Sequence, residues 1–290
     1  MPLRQQQTFS FEGKQFNKLA LHGGGTAMFG CVKSFLEAMQ INITNLNFPI
    51  ITSSASSMAM LTLIMNNFAS QNDSNEKVLH IYEKCIEEIT NFLDHFDNRY
   101  LIMFDFIENL MYSTLPNEFL TLTFADLKTI NPNLEWKVCC SKCDDFEFSV
   151  HTFGTHTPDV VVWKACLASM SIPVVFQPVQ INEHYYCDGD FSDWIKEVIG
   201  NHENVLHIKP ITRRNFDIKI DIPILDELVK FIIHLGLSFI YKSSLPEDNT
   251  YTTSFAGNVT EHFMSNIYIN EGKKIATKFI LKDCEFLKES

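Results

Sequence analysis

The sequence lacks any apolar run as long as the roughly 20 residues that a membrane-spanning helix needs. Behind its polar start, Met1-Pro2-Leu3-Arg4-Gln5-Gln6-Gln7, it also lacks the apolar segment of a signal peptide. The expectation from both is a soluble, cytoplasmic protein. Cationic residues are scarce: 23 Lys and Arg stand against 35 Asp and Glu, a net charge of −12. A nucleic-acid partner requires a cationic surface that displaces phosphate counterions, so none is expected. The same charge opposes docking on anionic lipid unless basic residues cluster locally. Gly and Pro are few, 11 and 10, and they form no linker. Cys140-x-x-Cys143 is followed by no second Cys pair and no spaced His pair, so a zinc site is not supported. With no secretory signal, the eight cysteines are expected to be reduced thiols.

What is present reads as a folded α/β chain. Hydrophobic residues make up 46%, with 25 Phe, enough for a large core. Lys18 to Leu21 reads as a strand running into His22-Gly23-Gly24-Gly25, and Cys31 to Met39 as a helix with Val32, Phe35, Leu36 and Met39 on one face. Phe48 to Ile51 reads as a buried strand and Ser56 to Met65 as the next helix. Strand–helix–strand–helix favours parallel pairing. Further on, helices are expected over Asn75 to Phe96 and Leu101 to Tyr112, and strands over Glu135 to Cys140 and Glu147 to Phe153. Then come a helix over Val160 to Ala168, a strand over Tyr185 to Cys187, and helices over Leu225 to Ile240 and Asn270 to Phe286.

Three segments carry candidate chemistry. In Gly23-Gly24-Gly25-Thr26 a Gly triplet brings bare backbone N–H groups to a helix N-terminus, where they can hold a phosphate or a reaction oxyanion; a plain tight turn is the other reading. In Thr52-Ser53-Ser54-Ala55-Ser56 a buried strand turns into a helix. That lifts Ser54 out of the sheet toward the helix's positive end, as a nucleophile requires, although Ser is also a common N-cap. Asp188, at a strand end before Gly189, is a carboxylate that could accept the serine proton, or part of an Asp-Gly turn.

In this order the three segments resemble the patatin-like phospholipase family, which has a Gly-rich oxyanion loop, a Gly-x-Ser-x-Gly nucleophile turn and a late Asp-Gly-Gly or Asp-Gly-Ala. The stretch Ala168-Ser169-Met170-Ser171-Ile172-Pro173, then Phe176 and Pro178, then Tyr186-Cys187-Asp188-Gly189 is similar to the family's approach to its catalytic Asp. The likeness runs from about residue 17 to about residue 200. It implies a three-layer α/β fold with a mostly parallel central sheet flanked by helices. Residues 1–16 would be an N-terminal extension, and 17–290 a single domain with its core at 17–200 and a helical part at 201–290. It also implies a Ser54 nucleophile, an Asp188 base and an oxyanion hole at Gly23, Gly24, Gly25 and Thr26. The substrate would be a glycerophospholipid or another acyl-ester lipid, met by peripheral membrane contact. No metal or organic cofactor is implied. Leu101 to Tyr112 and Leu225 to Ile240 are candidates for the core or for lining an acyl channel.

The chain departs from the family pattern at Thr52 and Ser56, which replace both Gly of the nucleophile turn, and at Asp190, where a small residue is usual. A second carboxylate beside Asp188 can raise the pKa of one of the pair. These changes keep open a catalytically impaired patatin-fold protein that binds lipids or other partners. A second alternative is an ordinary α/β-hydrolase with a Ser54–Asp188–His triad completed by His202 or His207. Only 28 residues separate Gly25 from Ser54, a single strand–helix–strand unit, which disfavours that arrangement.

Overall fold

A computed structural model describes residues 8–68 apart from 40, 42 and 45; residue 112; 117–212 apart from 145–147 and 174–175; and 245, 247–255 and 266–281. A hairpin of β1 (Phe9–Phe11) and β2 (Lys14–Phe16) leads into β3 (Lys18–Leu21), α1 (Gly25–Ala38), β4 (Ile50–Ser53) and α2 (Ala55–Phe68). Next come the short α3 (Asn117–Leu120), α4 (Phe124–Ile130), β5 (Trp136–Lys142), β6 (Ser149–Gly154) and α5 (Val162–Ser169). β7 (Val179–Ile181), β8 (His184–Asp188), β9 (Val205–Thr212), β10 (Thr250–Phe255), α6 (Asn266–Thr277) and β11 (Phe279–Leu281) complete the described elements.

The main sheet has the order β10-β9-β3-β4-β5-β8-β7, with β6 also on β5. β10, β9, β3, β4 and β5 run parallel, whereas β6 and β8 pair antiparallel with β5, and β7 antiparallel with β8. Parallel strands covered on both faces need apolar residues on both, and side chains alternate accordingly. Leu19, Leu21, Ile50, Val138, Leu206 and Ile208 point into one core with residues of α1, α2, α5 and α6. Ala20, Ile51, Cys139 and Val205 point the other way, against Trp194 and the π-helical turn Ile195–Ile199. Each large aliphatic side chain buried this way contributes roughly 1.5–3 kcal/mol.

The pairing of β5 places the site. A strand has two edges, and β6 occupies one along Lys137–Lys142. On the other edge β4 pairs in parallel with Trp136–Cys139, and β8 takes over antiparallel at Cys140–Lys142. β4 and β8 therefore approach head to head. Ser53 lies opposite Cys139 and Asp188 opposite Cys140, so the ends of the two strands meet although 134 positions separate Ser54 from Asp188.

The three-layer, mostly parallel α/β arrangement is the one expected. Several boundaries differ. β4 starts and ends two residues later than expected, because ladder pairing with β3 and β5 carries it to Ser53. The C-terminal helix expected over 270–286 begins at Asn266 and stops at Thr277. Phe279–Leu281 instead form β11 on β1, where long-range strand pairing prevails over helical periodicity. Residues 9–11 and 14–16 join β11 in a small sheet, with Phe9, Phe11 and Phe16 buried. The helices expected over 75–96, 101–112 and 225–240 lie outside the described residues, apart from Tyr112.

Candidate active site

Ser54 is the one residue between the end of β4 and the start of α2. Its φ is +54°, in the left-handed region that costs a non-glycine residue on the order of 1–3 kcal/mol. Local hydrogen bonds hold it there. Its N–H donates to Ser169 Oγ (2.9 Å), and its carbonyl accepts from Ser57 N–H (2.9 Å). Ser169 Oγ in turn donates to the Cys139 carbonyl (2.6 Å), tying the elbow to β5 and to the end of α5.

The two replaced glycines are accommodated. Thr52 and Ser56 are not at positive φ; of the five residues Thr52–Ser56, only Ser54 is. Thr52 Oγ1 accepts from Trp136 Nε1 (3.0 Å) and Ser57 Oγ (2.9 Å), and Ser56 Oγ donates to the His22 carbonyl (2.7 Å). Each added hydroxyl is thus buried with a partner, which removes the desolvation penalty of an unmatched polar group.

Ser54 Oγ donates to Asp188 Oδ2 at 2.8 Å. The other Asp188 oxygen accepts from the Asp190 N–H (2.9 Å), closing the turn Gly189–Phe191. The Asp188 carbonyl accepts from Ser141 Oγ (2.8 Å), and its N–H donates to the Ser171 carbonyl (2.8 Å). Burial raises the Asp188 pKa well above the usual carboxylate range, and the charge of Asp190 adds to this, against the lowering effect of the Asp190 N–H and the Ser54 hydroxyl. A base with a raised pKa is a stronger proton acceptor for a hydroxyl.

The Gly-rich segment lies against this pair. A Cβ on Gly23 would sit 1.9 Å from Asp190 Oδ2 and 2.6 Å from Ser54 Cβ, so only glycine fits. Gly24 caps α1, whose first residues are Gly25 and Thr26. The N–H groups of a helix's first turn have no intrahelical acceptor, and the helix dipole adds positive potential. Gly23, Gly24, Gly25, Thr26, Ser54 and Asp188 therefore share one locality. Gly189 is confined likewise, since its Cβ would meet the Cys139 carbonyl at 2.4 Å.

His202 and His207 are directed elsewhere. His207 Nδ1 is 3.0 Å from His22 Nε2, and His207 Nε2 is 3.2 Å from His202 Nδ1, a chain of three imidazoles. Burial drives His22 well below its usual pKa and His207 to about 3, so both are neutral near pH 7. His22 Nδ1 is the only buried side-chain polar atom without a hydrogen-bond partner among the described residues. Cys140 lies buried in β5 with its thiol toward the Ala165 carbonyl (3.6 Å), whereas Cys143 lies half-buried past the strand end. Among the described residues no group of three or more His, Cys, Asp or Glu is arranged to hold a metal ion.

Reasoning from sequence left out Ser169, Ser53 and Trp194. Ser53 Oγ donates to Asp190 Oδ1 (2.7 Å), and Trp194 Nε1 donates to the same oxygen (3.3 Å). Ser169 lies in the Ala168–Pro173 segment ahead of Asp188, but nothing local marks it as the acceptor for Ser54 N–H.

Comparison with protein families shows a match to patatin-like phospholipase over residues 19–193, more than half of the chain. The chain belongs to the patatin-like phospholipase family. The matched span begins in β3 and ends just past Asp190, so it contains the Gly-rich segment, the Ser54 elbow and the Asp188 turn. Among solved structures, VipD from Legionella pneumophila is 12% identical, with 96% of this chain and 71% of VipD covered at a TM-score of 0.46. ExoU of Pseudomonas aeruginosa, in its complex with SpcU, is 13% identical, with 91% of this chain and 52% of ExoU covered at a TM-score of 0.41. The chain thus spans about half the length of ExoU. Comparison with curated proteins gives no match. No described helix is long and apolar enough to cross a membrane.

Proposed function

We propose that this patatin-family chain is a lipid acyl hydrolase of the phospholipase A or lysophospholipase type, acting through a Ser54–Asp188 dyad. The observation that carries the reading is the direct 2.8 Å hydrogen bond from Ser54 Oγ to Asp188 Oδ2 at a strained strand-to-helix elbow. Asp188 takes the proton of Ser54 as Oγ attacks the ester carbonyl of a glycerolipid. The N–H groups of Gly24, Gly25 and Thr26 at the start of α1 stabilise the tetrahedral oxyanion. The alcohol leaves with the proton held by Asp188. Water, deprotonated by Asp188, then attacks the acyl-enzyme and releases the fatty acid. The cycle needs no imidazole and no metal ion. The protein would work in the cytoplasm, meeting its lipid by peripheral contact with a membrane.

A fluorophosphonate probe tests this reading. Labelling mapped to Ser54 by mass spectrometry, absent in Ser54→Ala and in Asp188→Asn, is the expected result, with hydrolysis of phospholipid vesicles lost in the same variants. Ser53→Ala should keep the label on Ser54. A label on Ser53, or activity surviving Ser54→Ala, would refute the assignment.

A further inference from the structure

Of the six described cysteines, Cys143 alone is not buried. The Cys140-x-x-Cys143 spacing suggests Cys140 as its partner, but the fold separates the two. Side chains alternate along a strand, so residues three apart face opposite ways. Cys140 turns into the main core, its thiol on the Ala165 carbonyl (3.6 Å), whereas Cys139 belongs to the core on the other face. The β5–β8 ladder continues one residue past β5, where Cys143 N–H donates to the Tyr185 carbonyl (2.9 Å), and this sets Cys143 on the face of Cys139 and Ser141. On β8, Cys187 pairs with Ser141 and so lies on that same face, diagonal to Cys143. A hydrogen bond joins the two thiols. We infer that Cys143 and Cys187 are an oxidation site, which closes into a reversible disulfide when a hydroperoxide reaches Cys143. The bridge then displaces Asp188, the residue after Cys187, an effect on activity that rests on the Ser54–Asp188 reading.

The two thiols have the unequal surroundings that the chemistry needs. The thiolate is the reactive form, and redox-active cysteines are accessible, low in pKa and set beside a resolving thiol. The hydrogen bond from Cys187 lowers the Cys143 pKa, against the opposing effects of burial and of Asp144. The same hydrogen bond, followed by burial, raises that of Cys187. Burial raises Cys31, Cys139, Cys140 and Cys166, which stay inert thiols. Cys143 is therefore the attacking sulfur and Cys187 the resolving one. The Cys143 thiolate attacks an oxygen of the hydroperoxide. The O–O bond breaks, hydroxide or alkoxide leaves, and Cys143 becomes a sulfenic acid. The Cys187 sulfur then attacks the Cys143 sulfur. The S–S bond forms as the S–O bond breaks, and the hydroxyl leaves as water with the Cys187 proton. The two thiols lose two electrons to the peroxide, and a dithiol reductant returns them by exchange. In a reducing compartment a disulfide of this kind is transient, as a sensor requires.

The strand register gives the consequence. Diagonal neighbours on an antiparallel pair stand about 7–8 Å apart, whereas a disulfide holds its Cα atoms at about 4.4–6.8 Å, so closing the bridge draws the two residues together by about 1 Å. Asp188 is the last residue of β8 and follows Cys187 directly. Ser54 is held separately, by Ser169 and Ser57. The 2.8 Å hydrogen bond between Ser54 and Asp188 therefore opens when Cys187 moves. A misplacement of about 1 Å costs on the order of a hundredfold in rate. Oxidation thus turns the dyad off without modifying either of its residues.

Hydrogen peroxide treatment of the full chain, followed by peptide mapping in a mass spectrometer, should show a Cys143–Cys187 crosslink that dithiothreitol reverses. Hydrolysis of phospholipid vesicles and fluorophosphonate labelling of Ser54 should fall together, on the order of a hundredfold, and recover with the reductant. Cys143→Ser should keep full activity in reducing buffer and lose none of it in peroxide. Cys187→Ser should stop at the Cys143 sulfenic acid, which dimedone traps; if that variant does not fold, Cys143→Ser carries the comparison alone. Carboxyl-carbon NMR of Asp-labelled Ser54→Ala protein should show the Asp188 resonance shift on oxidation, a readout that needs no turnover. The inference is overturned if Cys143 crosslinks instead to another cysteine, Cys85 and Cys284 included, or if wild type forms no crosslink. A crosslinked protein with an unmoved Asp188 resonance overturns it as well. A crosslink that shifts Asp188 in a protein that never turns over lipid or labels with fluorophosphonate supports the oxidation site while refuting the hydrolase reading.

Discussion

Gly23→Ala is the most demanding test of the site, because its cost follows from a single distance. The added methyl would lie 1.9 Å from Asp190 Oδ2 and 2.6 Å from Ser54 Cβ, where ordinary contacts begin at 3.4 Å. Something must therefore move by about 1.5 Å. Asp190 is held by Ser53 and Trp194, and Ser54 by Ser169 and Asp188, so neither side chain yields freely. The other course is for the loop to lift away from Ser54, carrying the N–H groups of Gly24 and Gly25 with it. A displacement of about 1 Å in a catalytic constellation costs on the order of a hundredfold in rate, about 2.7 kcal/mol of transition-state stabilisation. Overpacking adds a stability loss of about 1–3 kcal/mol. The measurement is kcat/KM on a soluble acyl ester, together with the thermal unfolding midpoint. Combining Gly23→Ala with Asp190→Ala removes the worse of the two collisions, so the double variant should be less impaired than the sum of the single losses. A Gly23→Ala protein with wild-type kcat/KM and midpoint would show that the loop does not pack on Ser54, and the proposed oxyanion hole would fall with it.

Ser169→Ala removes the acceptor for Ser54 N–H and should destabilise the strained elbow by about 1–3 kcal/mol, with a larger loss in kcat than in KM; an unchanged unfolding midpoint would contradict this. His202→Ala should retain kcat/KM within about tenfold, a cost of about 1.4 kcal/mol or less, since the imidazole chain touches neither Ser54 nor Asp188; a folded but inactive variant would restore the triad alternative. The third concerns stability and pH. His207 has a folded pKa of about 3 and an unfolded one of about 6.5, so below pH 6.5 the unfolded state binds more protons and stability falls until the pH approaches 3. His207→Gln lacks this term, so chemical denaturation should show it losing about 2 kcal/mol less than wild type between pH 7 and pH 5. Comparing the two proteins cancels the opposite contribution of Asp188 and Asp190, whose raised pKa values favour the folded state as pH falls. Equal losses would mean that His207 is protonated in the fold.

The sequence by itself determined the succession of strands and helices in the first 70 residues, because alternation and helical periodicity are local signals that packing on a parallel sheet reinforces. It also marked the candidate site residues, since a Gly triplet before a helix, a Ser at a strand end and an Asp-Gly turn each have a local physical rationale. It did not show that Ser54 and Asp188 touch. That follows from β5 receiving β4 and β8 in succession along one edge, a long-range pairing that no window of residues encodes. The two replaced glycines illustrate the same divide. Locally, Thr52 and Ser56 are departures that put a Cβ where the family pattern has glycine. In the fold the positive φ falls on Ser54 itself, and the added hydroxyls find Trp136, Ser57 and the His22 carbonyl as partners. In the sequence Asp190 was a second carboxylate beside Asp188, able to raise the pKa of one of the pair. Its lodging between Ser53, Trp194 and Gly23, contributed by three other elements, was decided by tertiary structure alone, because only folding removes the water that would otherwise let two adjacent carboxylates ionise independently.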